Sequence, residues 1–273
     1  MSDMWNDLVT CLKLEPVALE PPPDHGHCAY LGSNQHLPYH RVFGGQILGQ
    51  LLLAARATFP DKSVKSMHTV FPREGRSDTP IRYEVTTAHE GRSFAGATVT
   101  ARQDPHVVAA AVVSMHVPED GRDRQTVPAP GACPGAAHDV EMSLVPWQTR
   151  AVVDLDSTAA GPPDYELWMR TPAVDPDLGA ALTAYATDLT LIGTALRPEE
   201  GLSHTGNGTR FRSAVTSHTL WFHRAVRSDD WQLLRQHSPI LAHGRTFGRG
   251  DILTADGRLV ASFAQEALIR LPN

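Results

Sequence analysis

Asp188 interrupts the apolar run “AYATDLTLIG”. A carboxylate there is either the polar face of a helix or, partly buried, a group poised to take a proton. Gln265, in “VASFAQEALIR”, is a second residue with chemical potential. On a strand it and Glu266 point to opposite faces, so a solvent-facing Glu266 turns Gln265 inward, where its amide must find partners. A third candidate is the stretch “HGHCAYLGSNQHLPYH”, which gathers His25, His27, Cys28, His36 and His40 in sixteen residues. It invites a metal reading, but Pro38 breaks any helix that would hold His36 and His40 together, and no second cysteine stands at zinc-site spacing. The stretch is read as a polar loop, and no metal is expected. “GRSFAG” and “GLSHTG” each carry one residue too many for the G-x-S-x-G nucleophile elbow of an α/β-hydrolase. “GGQILGQLL” lacks the lysine and hydroxyl of a phosphate loop, and glycines at 44, 45 and 49 do not make G-x-G-x-x-G.

Elements must position these residues, and the chain builds them twice. His68-Thr69 matches His218-Thr219, and Arg76-Ser77-Asp78 matches Arg227-Ser228-Asp229. Gly91-Arg92-Ser93-Phe94 likewise matches Gly244-Arg245-Thr246-Phe247, and Val108-Ala109 matches Val260-Ala261. The offsets stay between 150 and 153 residues, far longer than a solenoid period, so a duplicated domain is implied. His68 and His218 share a repeat position, which points to packing more than to chemistry. The first half predicts a helix over 45–57, then strands over 64–71, 81–87, 93–101 and 107–117. The second predicts a helix over 179–196 and strands over 211–222, 231–237, 245–254 and 259–268. Gly45 and Gly49 lie four apart on one helical face, where small residues let the helix approach a sheet closely. The boundaries drawn are 1–118 and 146–273 for the two domains, with a Pro/Gly/Ala-rich linker at 119–145. One helix plus an antiparallel sheet, made twice, is an α+β arrangement.

Composition narrows the function classes. The 273 residues carry a formal charge of −6, which leaves no electrostatic footprint for nucleic acid. Three cysteines, Cys11, Cys28 and Cys133, are odd in number and widely spaced, which argues against a disulfide framework. The N-terminus lacks the basic and apolar regions of a signal peptide, and no apolar run is long enough to span a bilayer. “RLPN” is no peroxisomal tripeptide. A reduced, cytoplasmic protein with no membrane or nucleic-acid partner is expected.

The segments “RVFGGQILGQLLLAA”, “MHTVFPREG”, “HTLWFHR”, “WQLL” and “GRLVASFAQEALIR” resemble the acyl-CoA thioesterase II (TesB-like) family. The likeness covers nearly the whole chain and is weakest over the first twenty residues and the central linker. It implies two tandem hotdog domains, each an antiparallel sheet wrapped around a central helix. It also implies hydrolysis of a fatty acyl-CoA, assembly as a homo-oligomer (dimer or tetramer), and no metal or organic cofactor.

The site the resemblance implies is an Asp on the second helix, a Thr or Ser on the following strand, and a Gln on the last strand. Together they orient a water that attacks the thioester without a covalent intermediate. The Asp falls on Asp188 and the Gln on Gln265. The hydroxyl position falls on Val215, and the family's following Asp falls on Ser217. Strand alternation sets Val215 and Ser217 on one face and Thr216 on the other. Ser217 could therefore substitute from two residues along, or a bulge could turn Thr216 inward. With neither, the same fold would serve as a non-catalytic or weakly active acyl-CoA binding protein. The arginines of the two G-R-[ST]-F turns, Arg92 and Arg245, are candidates to meet the phosphates of coenzyme A.

Overall fold

The computed structural model describes residues 2–18 and 26–271. The chain forms two compact units, Met1–Arg124 with Asp177–Tyr185, and Gln125–Pro176 with Ala186–Asn273. In the first, helix α1 (Ser2–Cys11) precedes strands β1 (Glu15–Val17) and β2 (His27–Gly32). Helix α2 (Gly44–Thr58) follows, then β3 (Ser63–Val70), β4 (Ile81–Glu90), β5 (Phe94–Gln103) and β6 (His106–His116). These strands pair antiparallel in the order β1-β2-β4-β5-β6-β3. Helix α2 lies across β2 to β6 and buries Ile47, Leu48, Leu51 and Leu52. Each such leucine contributes about 1.5–3 kcal/mol relative to an exposed one. The histidine-rich stretch is not wholly a loop, because His27 and Cys28 begin β2; His25 lies outside the described residues.

The glycines of α2 face a helix, which corrects the expectation of a sheet. Helix α3 (Gly179–Thr187) belongs to this unit as far as Tyr185. A Cβ on Gly45 would stand 2.4 Å from the Tyr185 carbonyl oxygen, and one on Gly49 would stand 3.2 Å from that of Ala181. Two glycines four apart thus receive two backbone carbonyls four apart, and no larger residue fits at Gly45. Gln46, next to the pair, is buried and pins the neighbouring loop. Its Oε1 accepts from the Gln35 N–H at 2.9 Å, and its Nε2 donates to Asn34 Oδ1 at 2.9 Å and to Gln50 Oε1 at 3.1 Å. Tyr185 joins this network by donating its hydroxyl to Gln35 Oε1 at 3.0 Å. These buried hydrogen bonds tie α2, the loop and α3 to one another.

The second unit contains β7 (Gln148–Arg150), β8 (Asp164–Arg170), the end of α3, and helix α4 (Leu191–Leu196). Strands β9 (Arg212–Phe222), β10 (Gln232–Ala242), β11 (Arg245–Thr254) and β12 (Leu259–Arg270) complete it. They pair antiparallel in the order β9-β12-β11-β10-β8-β7, and α4 lies on β8, β10 and β11. Part of the Pro/Gly/Ala-rich stretch is strapped onto this sheet. Gln125 Nε2 donates to the Gly257 carbonyl at 2.6 Å, while Val127 and Cys133 pack on the cluster of Trp168, Leu233 and Leu253. Each unit therefore sets helix against one antiparallel sheet, the α+β hotdog arrangement that the resemblance implies.

The single helix expected over 179–196 is in fact two. Helix α3 stops at Thr187 and α4 starts at Leu191, with residues 188–190 as the break. The reason is local. The hydroxyls of Thr187, the last residue of α3, and Thr190, the last residue of the break, are held by side chains of the sheet, the first by His218 and the second by Gln236. β-Branched threonines are weak helix formers, so the break costs little. Among the described residues, no helix is long and apolar enough to cross a membrane.

Candidate active site

Asp188 occupies the first position of that break and is 8% exposed. The aspartate is thus held at the mouth of a helix end instead of along a helix face. Clamps flank it on both sides: Thr187 Oγ1 lies 3.0 Å from His218 Nε2, and Gln236 Nε2 also donates to Thr194 Oγ1 at 2.9 Å. All four of these partners are buried. A carboxylate with restricted access to water and a fixed backbone can accept a proton at one defined place.

Gln265 sits on β12 with its side chain 3% exposed, and its neighbour Glu266 faces out and pairs with Arg245 at 3.1 Å. The β9–β12 ladder sets Gln265 directly opposite His218. Opposed residues of an antiparallel pair share a face. The two side chains meet at 3.1 Å, Nδ1 of the ring to Oε1 of the amide. Gln265 Nε2 is buried and makes no hydrogen bond among the described residues. His218 is fully buried, and burial pushes its imidazole down to about 4, the hydrogen bond to Gln265 opposing only part of that. The ring is neutral near pH 7.

Room above Gln265 is set by glycine. Gly248 of β11 pairs with Gln265, and a Cβ there would come 2.7 Å from the Leu191 side chain. Helix α4 can therefore press on the sheet at this rung.

A bulge in β9 rearranges the hydroxyl candidates. Glu266 pairs with Ser217 and Ala267 pairs with Val215, so Thr216 is the extra residue. Ser217 consequently shares the outer face of Glu266, away from Gln265. Val215 shares the face of Ala267, which is buried and two residues beyond Gln265. The expectation that Val215 and Ser217 share a face is corrected by the bulge. Thr216 donates its hydroxyl to the Glu266 carbonyl at 3.0 Å. The structure thus brings Gln265 and the Asp188 turn to one region of the unit, puts Val215 on the Gln265 face, and sends Ser217 to the other side.

The sequence alone does not mark His218 and Thr187 as parts of this site. The repeat match with His68 suggests packing, yet His68 is exposed on β3 while His218 is buried on β9. The register of β9 against β12 is the missing signal, since it alone sets His218 beside Gln265. Arg92 is exposed and Arg245 is engaged by Glu266. The remaining metal candidates are dispersed: His36 pairs with Asp7 at 2.7 Å, His27 with Thr86 at 3.2 Å, and Cys28 with Thr58 at 3.1 Å. Among the described residues, no three His, Cys, Asp or Glu side chains gather to hold a metal ion.

Residues 35–116 match the acyl-CoA thioesterase N-terminal domain, and residues 117–269 match the acyl-CoA thioesterase C-terminal domain. Acyl-CoA thioesterase 2 of Haemophilus influenzae is 31% identical, with 99% of each chain covered. Human acyl-coenzyme A thioesterase 8 is 27% identical over 97% of this chain and 89% of its own. The crystal structure of an acyl-CoA thioesterase II, TesB2, from Mycobacterium marinum superposes with a TM-score of 0.77 at 30% identity. It covers 97% of this chain and 99% of that one.

Proposed function

Because the chain belongs to the acyl-CoA thioesterase family, we propose that it hydrolyses the thioester of a fatty acyl-CoA by direct attack of water. Asp188 is the general base. Its carboxylate takes a proton from the water as the oxygen adds to the thioester carbonyl. The carbon–sulfur bond then breaks, the coenzyme A thiolate leaves, and the proton held by Asp188 returns to it. Gln265 holds the same water, or the developing oxyanion, through an N–H donor that is already buried and needs no reorganisation. Val215 supplies no hydroxyl, so two groups carry the work that the family shares among three. The compartment we assign is the cytoplasm and the assembly a homo-oligomer, dimer or tetramer, on the strength of the family and of the unpatterned cysteines.

The observation that carries this reading is the inward-facing Gln265 amide with its Nε2 unengaged, joined through His218 to the helix end from which Asp188 emerges. Release of free thiol from short, medium and long acyl-CoAs tests it. Asp188→Asn is expected to lower kcat about 10²- to 10⁴-fold, the usual worth of general-base catalysis, with the fold intact by circular dichroism. Binding of acyl-CoA with no turnover by the unaltered protein would replace the enzyme reading by that of a carrier.

A further inference from the structure

A glutamine amide has two ends of nearly the same shape and opposite chemistry. The carbonyl end accepts and the amino end donates, so a site that needs a donor must be told which way the amide points. Here the neighbour that decides is His218. An amide oxygen can only accept, so the ring nitrogen facing Gln265 Oε1 at 3.1 Å carries the proton. A neutral imidazole has one N–H, which makes the far nitrogen, Nε2, an acceptor. Thr187 Oγ1 lies 3.0 Å from Nε2, and its hydroxyl, which can donate or accept, donates to that nitrogen and anchors the far side of the ring. The ring is further fixed by the parallel ring of Phe263, with centroids 6.0 Å apart and planes 7° apart.

We infer that His218 is a positioning residue that holds Gln265 with its amino end toward the reacting water, and that Thr187 anchors the far side of the His218 ring. The inference rests on the thioesterase reading above. The same contacts join the last residue of α3 to β12 through one side chain, so His218 also keeps Asp188 and Gln265 in register. Neither His218 nor Thr187 takes or gives a proton in the reaction.

The test compares kcat and KM for His218→Leu, His218→Asn, Gln265→Leu and the double variant His218→Leu/Gln265→Leu, in the full chain on one saturable acyl-CoA. Removing a preorganised donor costs ~10²–10³-fold in kcat, and a misaimed one should cost part of that, ~10–100-fold in His218→Leu with little change in KM. His218→Asn places its own N–H near the Nδ1 position and should recover most of the rate. In the Gln265→Leu background the histidine change should add nothing, because residues that act through one another are non-additive. Full activity in His218→Leu, equal losses in the Leu and Asn variants, or a full additional loss in the double variant each overturn the positioning role. Full activity in Gln265→Leu removes the catalytic role of Gln265 itself, and the positioning role falls with it. If His218→Leu does not fold, Thr187→Val serves. It keeps the shape and removes the donor, and an unchanged kcat there also overturns the inference.

Discussion

At the scale of single residues, the proposed site is a carboxylate, an amide and the absence of a hydroxyl. Asp188 and Gln265 are both legible in the sequence, one as an acidic break in an apolar run and the other through its alternation with Glu266. Their roles come from the family resemblance. The third position is not legible, because simple alternation assumes an unbroken strand. One extra residue at Thr216 reverses every facing upstream of it, which turns Val215 toward Gln265 and leaves Ser217 opposite Glu266. Val215→Thr therefore puts a hydroxyl on the Gln265 face with no change in branching. An additional hydrogen bond in the transition state is worth about 1 kcal/mol, so kcat should rise ~5-fold, read by initial rates on the preferred acyl-CoA. Ser217→Ala should leave kcat within about twofold, since that position faces away from the chemistry.

At the scale of elements, one helical pattern conceals two helices. Helical spacing over 179–196 marks helix correctly, but every residue from Ala181 to Ala186 is buried, so no face stands out, and the spacing does not report that Thr187 and Thr190 are claimed by His218 and Gln236. Gly45 and Gly49 are likewise legible as a close-packing face, but not which element they meet, since a glycine face suits any close neighbour. Nothing in the sequence singles out Gly248. It is the rung on which α4 rests. Gly248→Ala would force the Leu191 side chain aside from 2.7 Å, costing about 1–3 kcal/mol in overpacking. Urea unfolding should show that loss, and kcat should fall with it because α4 begins two residues after Asp188's neighbour Leu189. A Gly248→Ala protein of unaltered stability would mean that α4 does not press on β11 in solution.

At the scale of the whole molecule, the buried histidine makes stability depend on pH with a defined sign. His218 titrates at about 4 in the folded protein against 6.5 as its ordinary value. The unfolded chain thus binds the proton first as pH falls, and stability is lost between pH 6.5 and 4 and fully present above 6.5. The size is about 3 kcal/mol at 1.36 kcal/mol per unit. His204 and His223 are lowered by burial as well, so the protein should show a broader decline to which His218 contributes one part. Thermal melts from pH 7.5 to 4.5 should fall more steeply for the native sequence than for His218→Asn. Parallel curves would show that His218 titrates normally. The duplication is legible at this scale from four ordered matches, and both units do set helix against antiparallel sheet. Duplication does not imply equivalence, because the matched histidines, His68 exposed and His218 buried, do different things.

In the proposed reaction water, and not a side chain, attacks the acyl carbon. A single turnover in ¹⁸O-water, with enzyme in excess over acyl-CoA, tests this. Direct attack puts one ¹⁸O into the released acid and none into the protein. Attack by the Asp188 carboxylate would instead form a mixed anhydride as the thiolate leaves. Water adding to the aspartyl carbonyl of that anhydride would then leave ¹⁸O in the peptide that contains Asp188. Labelled acid with an unlabelled peptide is the result expected, and label in the Asp188 peptide would contradict the account.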